Sequence, residues 1–356
     1  MAYTSIDDPS AYFQIALYTG NAGFNTITND GNSDLAPDFI WGKCRSTTKT
    51  HFWYDTTRGA EKRLESDNTG AEDTGTNGIL NFYTDGFRTA SGNTENDNGE
   101  SYVAWQWKAN GGTTSSNTDG DITSTVQANT TAGFSIMTYT GTTGDVHTIG
   151  HGLGVTPQAW IVKARGDGGD FDDWFFWHHQ MAASNIIDNR MLFLNTTAAL
   201  ATYTGINAVS SSTIRVKSST TAQNGVTFVA YAFAEKQGYS KIGKYIGNGN
   251  ADGQFVYTGF KPAFVLIKRS DATNNWLIYD HKRSGYNPKQ DKLYPDDTSA
   301  EDASTTSVDL LSNGFKLRAS SASQNAAGGD YIYMAFAENP FVTSGGAPTT
   351  ARAITG

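Results

Sequence analysis

The sequence holds a single cysteine, Cys44, which excludes an intrachain disulfide and a thiolate metal cluster. Charged residues are scarce, at 17% of 356 residues, and Lys and Arg (26) are outnumbered by Asp and Glu (35). The net charge is −9 and the pI is about 5.1. Without clustered basic residues the chain is a poor match for a phosphate backbone or an anionic lipid surface. The longest apolar runs, such as 229–234 and 263–267, are strand-sized and too short to span a bilayer. Neither nucleic-acid binding nor membrane insertion is therefore expected. The opening Met1-Ala-Tyr-Thr-Ser-Ile-Asp-Asp-Pro9 has no basic region followed by an apolar stretch, so no secretory signal is read there. The expectation is a soluble protein made in a reducing compartment. Ala, Leu, Glu and Lys are too sparse for a helical bundle.

Aromatic residues are plentiful: 17 Tyr, 19 Phe and 8 Trp, beside 38 Gly. A disordered chain lacks such aromatics, which leaves an all-β protein with polar turns. An internal repeat supports this. Pro37-Asp-Phe-Ile-Trp-Gly-Lys43, Pro157-Gln-Ala-Trp-Ile-Val-Lys163 and Pro262-Ala-Phe-Val-Leu-Ile-Lys268 each place a lysine six positions after a proline, across a nearly continuous apolar run. Asp55 and Asp280 follow, each behind a tyrosine, with Trp177-His178 in the middle copy. Then come Lys62-Arg63-Leu64, Arg190-Met191-Leu192 and Lys292-Leu293-Tyr294. Asp85-Gly86-Phe87-Arg88, Thr213-Ile214-Arg215 and Asn313-Gly314-Phe315-Lys316 come next. Each copy closes on an aromatic strand, at 102–107, 228–233 and 331–336. Five landmarks in one order, three times, predict a triplicated module.

The units are residues 1–112, which is the expected anchor, 113–238 and 239–345, with a polar tail at 346–356. Period-two alternation, as in Phe134-Ser-Ile-Met-Thr-Tyr139, predicts half-buried strands. The proline-to-lysine strands are apolar almost throughout and are expected to be buried on both faces. Asp85-Gly86, Asp252-Gly253 and Asn313-Gly314 are tight-turn dipeptides. The fold class is thus all-β, with three tandem antiparallel β-sandwiches. A lectin-type jelly roll and an immunoglobulin-like topology fit equally.

Chemistry is harder to find. His147 and His151 are four apart on a Gly-rich stretch rather than a helix, and no metalloprotease glutamate accompanies them. No Gly-x-Ser-x-Gly elbow or P-loop occurs. A structural hydrogen bond to a turn is the favoured role for Asp55 and Asp280. The acidic turn Asn117-Thr-Asp119-Gly-Asp121 is a candidate calcium site, although the twelve-residue loop with its terminal glutamate is missing; no other cofactor is expected. Trp53, Trp174, Trp177 and Trp276 lie in the same mid-unit region, where core packing is favoured over sugar stacking. They are the candidate glycan or receptor contacts, together with Asp170 and Asp172 from the acidic loop 166–173.

Several stretches resemble a family of repeat proteins from tailed bacteriophages, especially marine ones. They include Met1-Ala-Tyr-Thr-Ser-Ile-Asp-Asp-Pro-Ser-Ala-Tyr-Phe-Gln14, Asn29-Asp-Gly-Asn-Ser-Asp-Leu-Ala-Pro-Asp38 and Tyr102-Val-Ala-Trp-Gln-Trp-Lys-Ala-Asn110. Ser116-Asn-Thr-Asp-Gly-Asp-Ile-Thr-Ser124, Gly314-Phe-Lys-Leu-Arg318 and Tyr333-Met-Ala-Phe-Ala-Glu338 add to them. The resemblance covers almost the whole chain. It implies a virion structural protein, filed near tail or fibre genes, made in the host cytoplasm and released by lysis. It carries no catalytic residues to transfer. The expected function is a non-enzymatic component that projects from the particle, a tail fibre or host-surface adhesion protein. A capsid decoration or head-fibre protein is the alternative, and a virion polysaccharide-degrading enzyme the second. Expected partners are other virion proteins, further copies of the chain (a trimer is the working expectation) and a host surface glycan.

Overall fold

The computed structural model describes residues 3–75, 77–91, 94–166, 172–181, 190–203, 209–305 and 307–349. Among them, the helical element is a single 3-10 turn, Pro9–Ala11, whose first free amide is met by the Asp8 side chain. The rest of the regular structure is antiparallel strand.

One strand order recurs. Phe13–Thr19 pairs with Ser101–Trp107, which pairs with Phe39–Cys44, which pairs with His51–Asp55. The same order is taken by Phe134–Thr140, Thr227–Phe233, Ala159–Ala164 and Phe175–His178. It appears again in Ser240–Ile246, Asp330–Pro340, Phe260–Arg269 and Leu277–Asp280. The middle sheet is widened to eight strands by Ser115–Asn117 and Ser124–Asn129 on one edge and Arg190–Phe193 and Ala201–Thr202 on the other. A smaller sheet accompanies each: Asn25–Ile27, Gly86–Thr89 and Ile79–Tyr83; Val146–Gly150 with Thr213–Lys217; Phe255–Tyr257, Gly314–Leu317 and Val308–Leu311. Pro37 and Pro157 stand just ahead of their strands. Pro262 lies inside Phe260–Arg269 at a shift of register, where the missing ladder donor is tolerated.

Alternation along the proline-to-lysine strands sends side chains to two different cores. Ile40, Trp160 and Val265 face the small sheet of their own unit. Phe39 and Trp41, Ala159 and Ile161, and Phe264 and Leu266 point the other way, into one core shared by all three units. Rings from different units touch there. Trp53 meets Trp174 at 4.6 Å, Phe176 meets Trp276 at 4.8 Å, and Trp107 meets Phe336 at 5.5 Å. Each fully buried aromatic contributes about 1.5–3 kcal/mol of transfer free energy. Two-faced burial was expected from the sequence; its cause was not. The units are not beads on a string: each large sheet is a middle layer, covered outside by its own small sheet and inside by its neighbours.

Candidate functional site

The tryptophans proposed as sugar contacts all lie inside. Trp53 and Trp174 are 0% exposed, Trp276 is 1% and Trp177 is 3%. The first three belong to the shared core and Trp177 to the second unit's own core. Rings this deeply buried present no open face to a glycan, and they pack against core aromatics instead. Asp170 lies outside the described residues. Asp172 is half-buried beside Asp173, whose carboxylate accepts from Asn195 at 2.7 Å.

The recurring landmarks instead join one unit to the next. Lys43, Lys163 and Lys268 are fully buried on the inward face. Lys163 Nζ donates to the Thr69 carbonyl at 3.1 Å, Lys268 to Thr197 at 2.9 Å and Lys43 to Thr298 at 3.1 Å. The contacts run in a cycle: second unit to first, third to second, first to third. Four positions before Asp55, His178 and Asp280 stand His51, Trp174 and Trp276. Their ring nitrogens reach the carbonyls of Tyr294 (2.9 Å), Glu65 (2.8 Å) and Phe193 (2.9 Å) in the same cycle. His51 Nδ1 accepts from the Trp41 indole at 2.9 Å, so Nε2 carries the proton that Tyr294 accepts. Burial, with Lys43 close by, holds the His51 pKa well below its ordinary value.

Asp55 and Asp280 do accept turn amides, and they also anchor ion-pair chains. Asp55 Oδ1 accepts from the Arg58 amide at 2.8 Å, and Oδ2 lies 2.5 Å from Arg58 Nε. Arg58 continues to Glu72 at 3.1 Å, which is clamped by both prongs of Arg165 from the second unit at 2.9 Å. The third unit repeats the chain toward the first. Asp280 pairs with Arg283 at 2.5 Å, Arg283 with Glu301 at 3.0 Å, and Glu301 with Arg45 at 2.8 and 3.0 Å. Burial raises the Asp280 carboxyl, but Arg283 outweighs it and holds the pKa below the ordinary value. Where the second unit meets the third, the amide of Leu200 reaches the Ser270 carbonyl, as Glu72 reaches Arg165 and Glu301 reaches Arg45. There the chain is replaced by His178, Met181, Leu200 and Ser270, of which Met181 and Leu200 pack in the shared core, and no Asp–Arg–Glu–Arg series is formed among the described residues. The Asp-x-x-Arg spacing at 55/58 and 280/283 was legible in the sequence and is the signal for these arginines.

Concave surfaces are found on two parts of the described molecule. The first lies between the first and third units. A cleft of about 370 Å³ is lined by Gln14, Asp30, Asn32, His281, Lys282, Glu338 and Asn339, among others. A second hollow of about 210 Å³ shares His281 and Glu338 and adds Lys261, Asn287 and Lys289. Lys282 pairs with Asp30 across the units, and Lys261 with Glu338 at 2.8 Å. Lys289 is 4% exposed, and its ammonium donates to the carbonyls of His281 (3.0 Å) and Ser284. His281 Nδ1 is buried with no hydrogen-bond partner among the described residues, and burial lowers its pKa. Sequence reasoning missed this cleft, because its walls come from segments about 250 residues apart.

The second surface, about 620 Å³, lies in the first unit and is lined by Lys49, Tyr54, Glu61, Arg63, Asp73 and Asp97 with small polar residues. Arg63 bridges Asp73 (3.0 Å) and Glu95 (3.2 Å). Glu95 is 1% exposed, accepts from the Tyr54 hydroxyl at 2.9 Å, and is pushed above the ordinary carboxylate pKa by burial. At the calcium candidate, Asp121 accepts from Thr148 Oγ1 at 2.7 Å and lies 2.6 Å from His147 Nδ1. Among the described residues, no group of three or more His, Cys, Asp or Glu could hold a metal ion.

A family described as a domain of unknown function (DUF7483) matches residues 8–340. The chain belongs to this family. No curated protein and no solved structure matches it. The DUF7483 match runs unbroken through all three units. That agrees with the shared core, since a unit whose inner face is covered only by its neighbours is not a separable part.

Proposed function

We propose that this DUF7483 chain is a non-enzymatic structural component of a tailed-phage virion, projecting from the particle as a tail-fibre or host-adhesion head. The observation that supports it most is the shared aromatic core. Three sheets held around one interior, with cross-links at every junction, make a stiff body whose outer loops and clefts keep a fixed relative geometry. Fixed geometry favours multivalent contact, because one engaged site raises the effective concentration at the next. The phage-like segments at 29–38 and 102–110 supply the setting. Mass spectrometry of purified particles and imaging with a labelled copy test the reading. A few tens of copies or fewer at the tail are expected. Hundreds of copies on the head replace it with capsid decoration, and absence from particles ends both.

A second reading rests on Glu95. A carboxyl with a raised pKa beside a polar cleft, joined through Arg63 to the exposed Asp73, has the ingredients of an acid and base pair on a sugar. Release of reducing ends from host exopolysaccharide, abolished by Glu95→Gln, is the result that reading requires.

A further inference from the structure

We propose that the cleft between the first and third units, together with the hollow that adjoins it, binds a sugar bearing a carboxylate, with the acid group directed to Lys289 and the ring packed on Tyr286. The proposal rests on the adhesion reading above and names the ligand class for it.

Charge comes first. In a chain of net charge −9, this cleft and the hollow that adjoins it gather three lysines, Lys261, Lys282 and Lys289, against two acids, Glu338 and Asp30. Lys261 and Lys282 have carboxylate partners. Lys289 hydrogen-bonds instead to two carbonyls, while Asp280 and Glu338 act on it only through space. A buried ammonium whose hydrogen bonds all go to neutral oxygens gains from a carboxylate placed in direct contact, since a charge-assisted bond is roughly twice as strong as a neutral one. Beside it, the buried Nδ1 of His281 lacks a partner among the described residues, and a buried polar atom left unmatched is costly.

Shape and apolar surface come second. Tyr286 sits between the lining residues Gly285 and Asn287 and is 87% exposed, the highest exposure of any large hydrophobic residue described. A ring this exposed, next in the chain to the residues that line the hollow, is free to offer a flat apolar face to a pyranose while its hydroxyl stays wet. The side-chain amides of Asn32 and Asn339 line the adjoining cleft and can bond to hydroxyl groups. A bare inorganic anion would use the lysine but not the ring or the amides. A neutral sugar would leave Lys289 as it is.

Isothermal titration of the full chain tests this with three probes: a galacturonate trisaccharide, its neutral galactose counterpart and inorganic phosphate. The acidic trisaccharide should bind about tenfold tighter than the neutral one. Tyr286→Ala, at an exposed position, should weaken acidic binding about fivefold with an unchanged melting temperature. Lys289→Met should abolish the preference for acid over neutral; if it does not fold, Tyr286→Ala still decides. Equal binding of both sugars, phosphate competing as well as the uronate, or no effect of Tyr286→Ala overturns the proposal. Particles that carry the protein, with a chain that ignores uronate, sink the cleft assignment alone. Uronate binding by a chain absent from particles sinks the adhesion reading alone.

Discussion

The indole N–H of Trp105, in the first unit, donates to the carboxylate of Asp280, in the third, at 3.0 Å. The register places Tyr231 of the second unit at the corresponding position, and its hydroxyl donates to Asp55 of the first at 2.7 Å. The third member is Met334, which has no donor, and the residue it would serve is His178 rather than an aspartate. Donor and acceptor are thus present together or absent together at each junction.

Removing one donor should therefore show. Tyr231→Phe leaves the buried Asp55 with Arg58 alone, and the loss should be about 1–3 kcal/mol. Urea denaturation of the variant and parent measures it. An unchanged midpoint would mean that Arg58 satisfies the carboxylate without help.

The ion-pair chain should be strongly coupled. Arg283→Met leaves Asp280 charged, buried and without its cation, at a cost of about 3–5 kcal/mol. Adding Asp280→His recreates the neutral pairing that His178 and Met181 make in the second unit. The double variant should be more stable than Arg283→Met alone, with a coupling free energy visible in a double-mutant cycle. Additive losses would show that the neutral set works only in its own surroundings.

Acid and base should act on Asp296 in a defined direction. Burial pushes its pKa from 3.8 up to about 7. The native state then holds the proton more tightly than the unfolded chain, so this stabilisation is full at low pH and lost as pH rises from about 4 through about 7. Asn195 occupies the matching position in the second unit and accepts the Trp174 amide at 3.0 Å, as Asp296 accepts that of Trp276 at 3.0 Å. Asp296→Asn keeps the acceptor and cannot ionise. Its stability relative to the parent should rise between pH 5 and pH 8 (about one pH unit beyond the upper pKa). A constant difference across that range would disprove the assignment.

The units should not survive separation. Residues 113–238 expressed alone would expose Phe134, Phe176 and Tyr231, all at most 1% exposed in the whole chain. The fragment should aggregate or bind a hydrophobic dye, whereas the full chain should unfold in one transition. A soluble, cooperatively folding fragment would show that the inner faces tolerate water.

Much of the fold was legible. The three proline-to-lysine runs became the strands Phe39–Cys44, Ala159–Ala164 and Phe260–Arg269, because continuous apolarity within a short span marks two-faced burial. The turn dipeptides at 85–86 and 313–314 fell just at the starts of their strands, with Gly86 at a positive φ of 98°. For the four tryptophans, core packing was the favoured reading, and the alternative of sugar contact stayed open for a related reason. A pattern reports that a face is covered and does not identify the cover, and repeated rings look alike in a shared core and on a binding surface.

What the chain's order of residues determined alone is the triplication, the strand periodicity and the aromatic interior, since these follow from spacing along one segment. Only the tertiary structure decided that the interior is common to three units, that Lys43, Lys163 and Lys268 reach Thr298, Thr69 and Thr197 in a cycle, and that His281, Lys289 and Asn32 surround adjoining hollows. Those partners lie about 70 to 255 residues apart. Local propensity acts over a few residues, whereas contacts at that separation form only where packing closes the whole molecule around them.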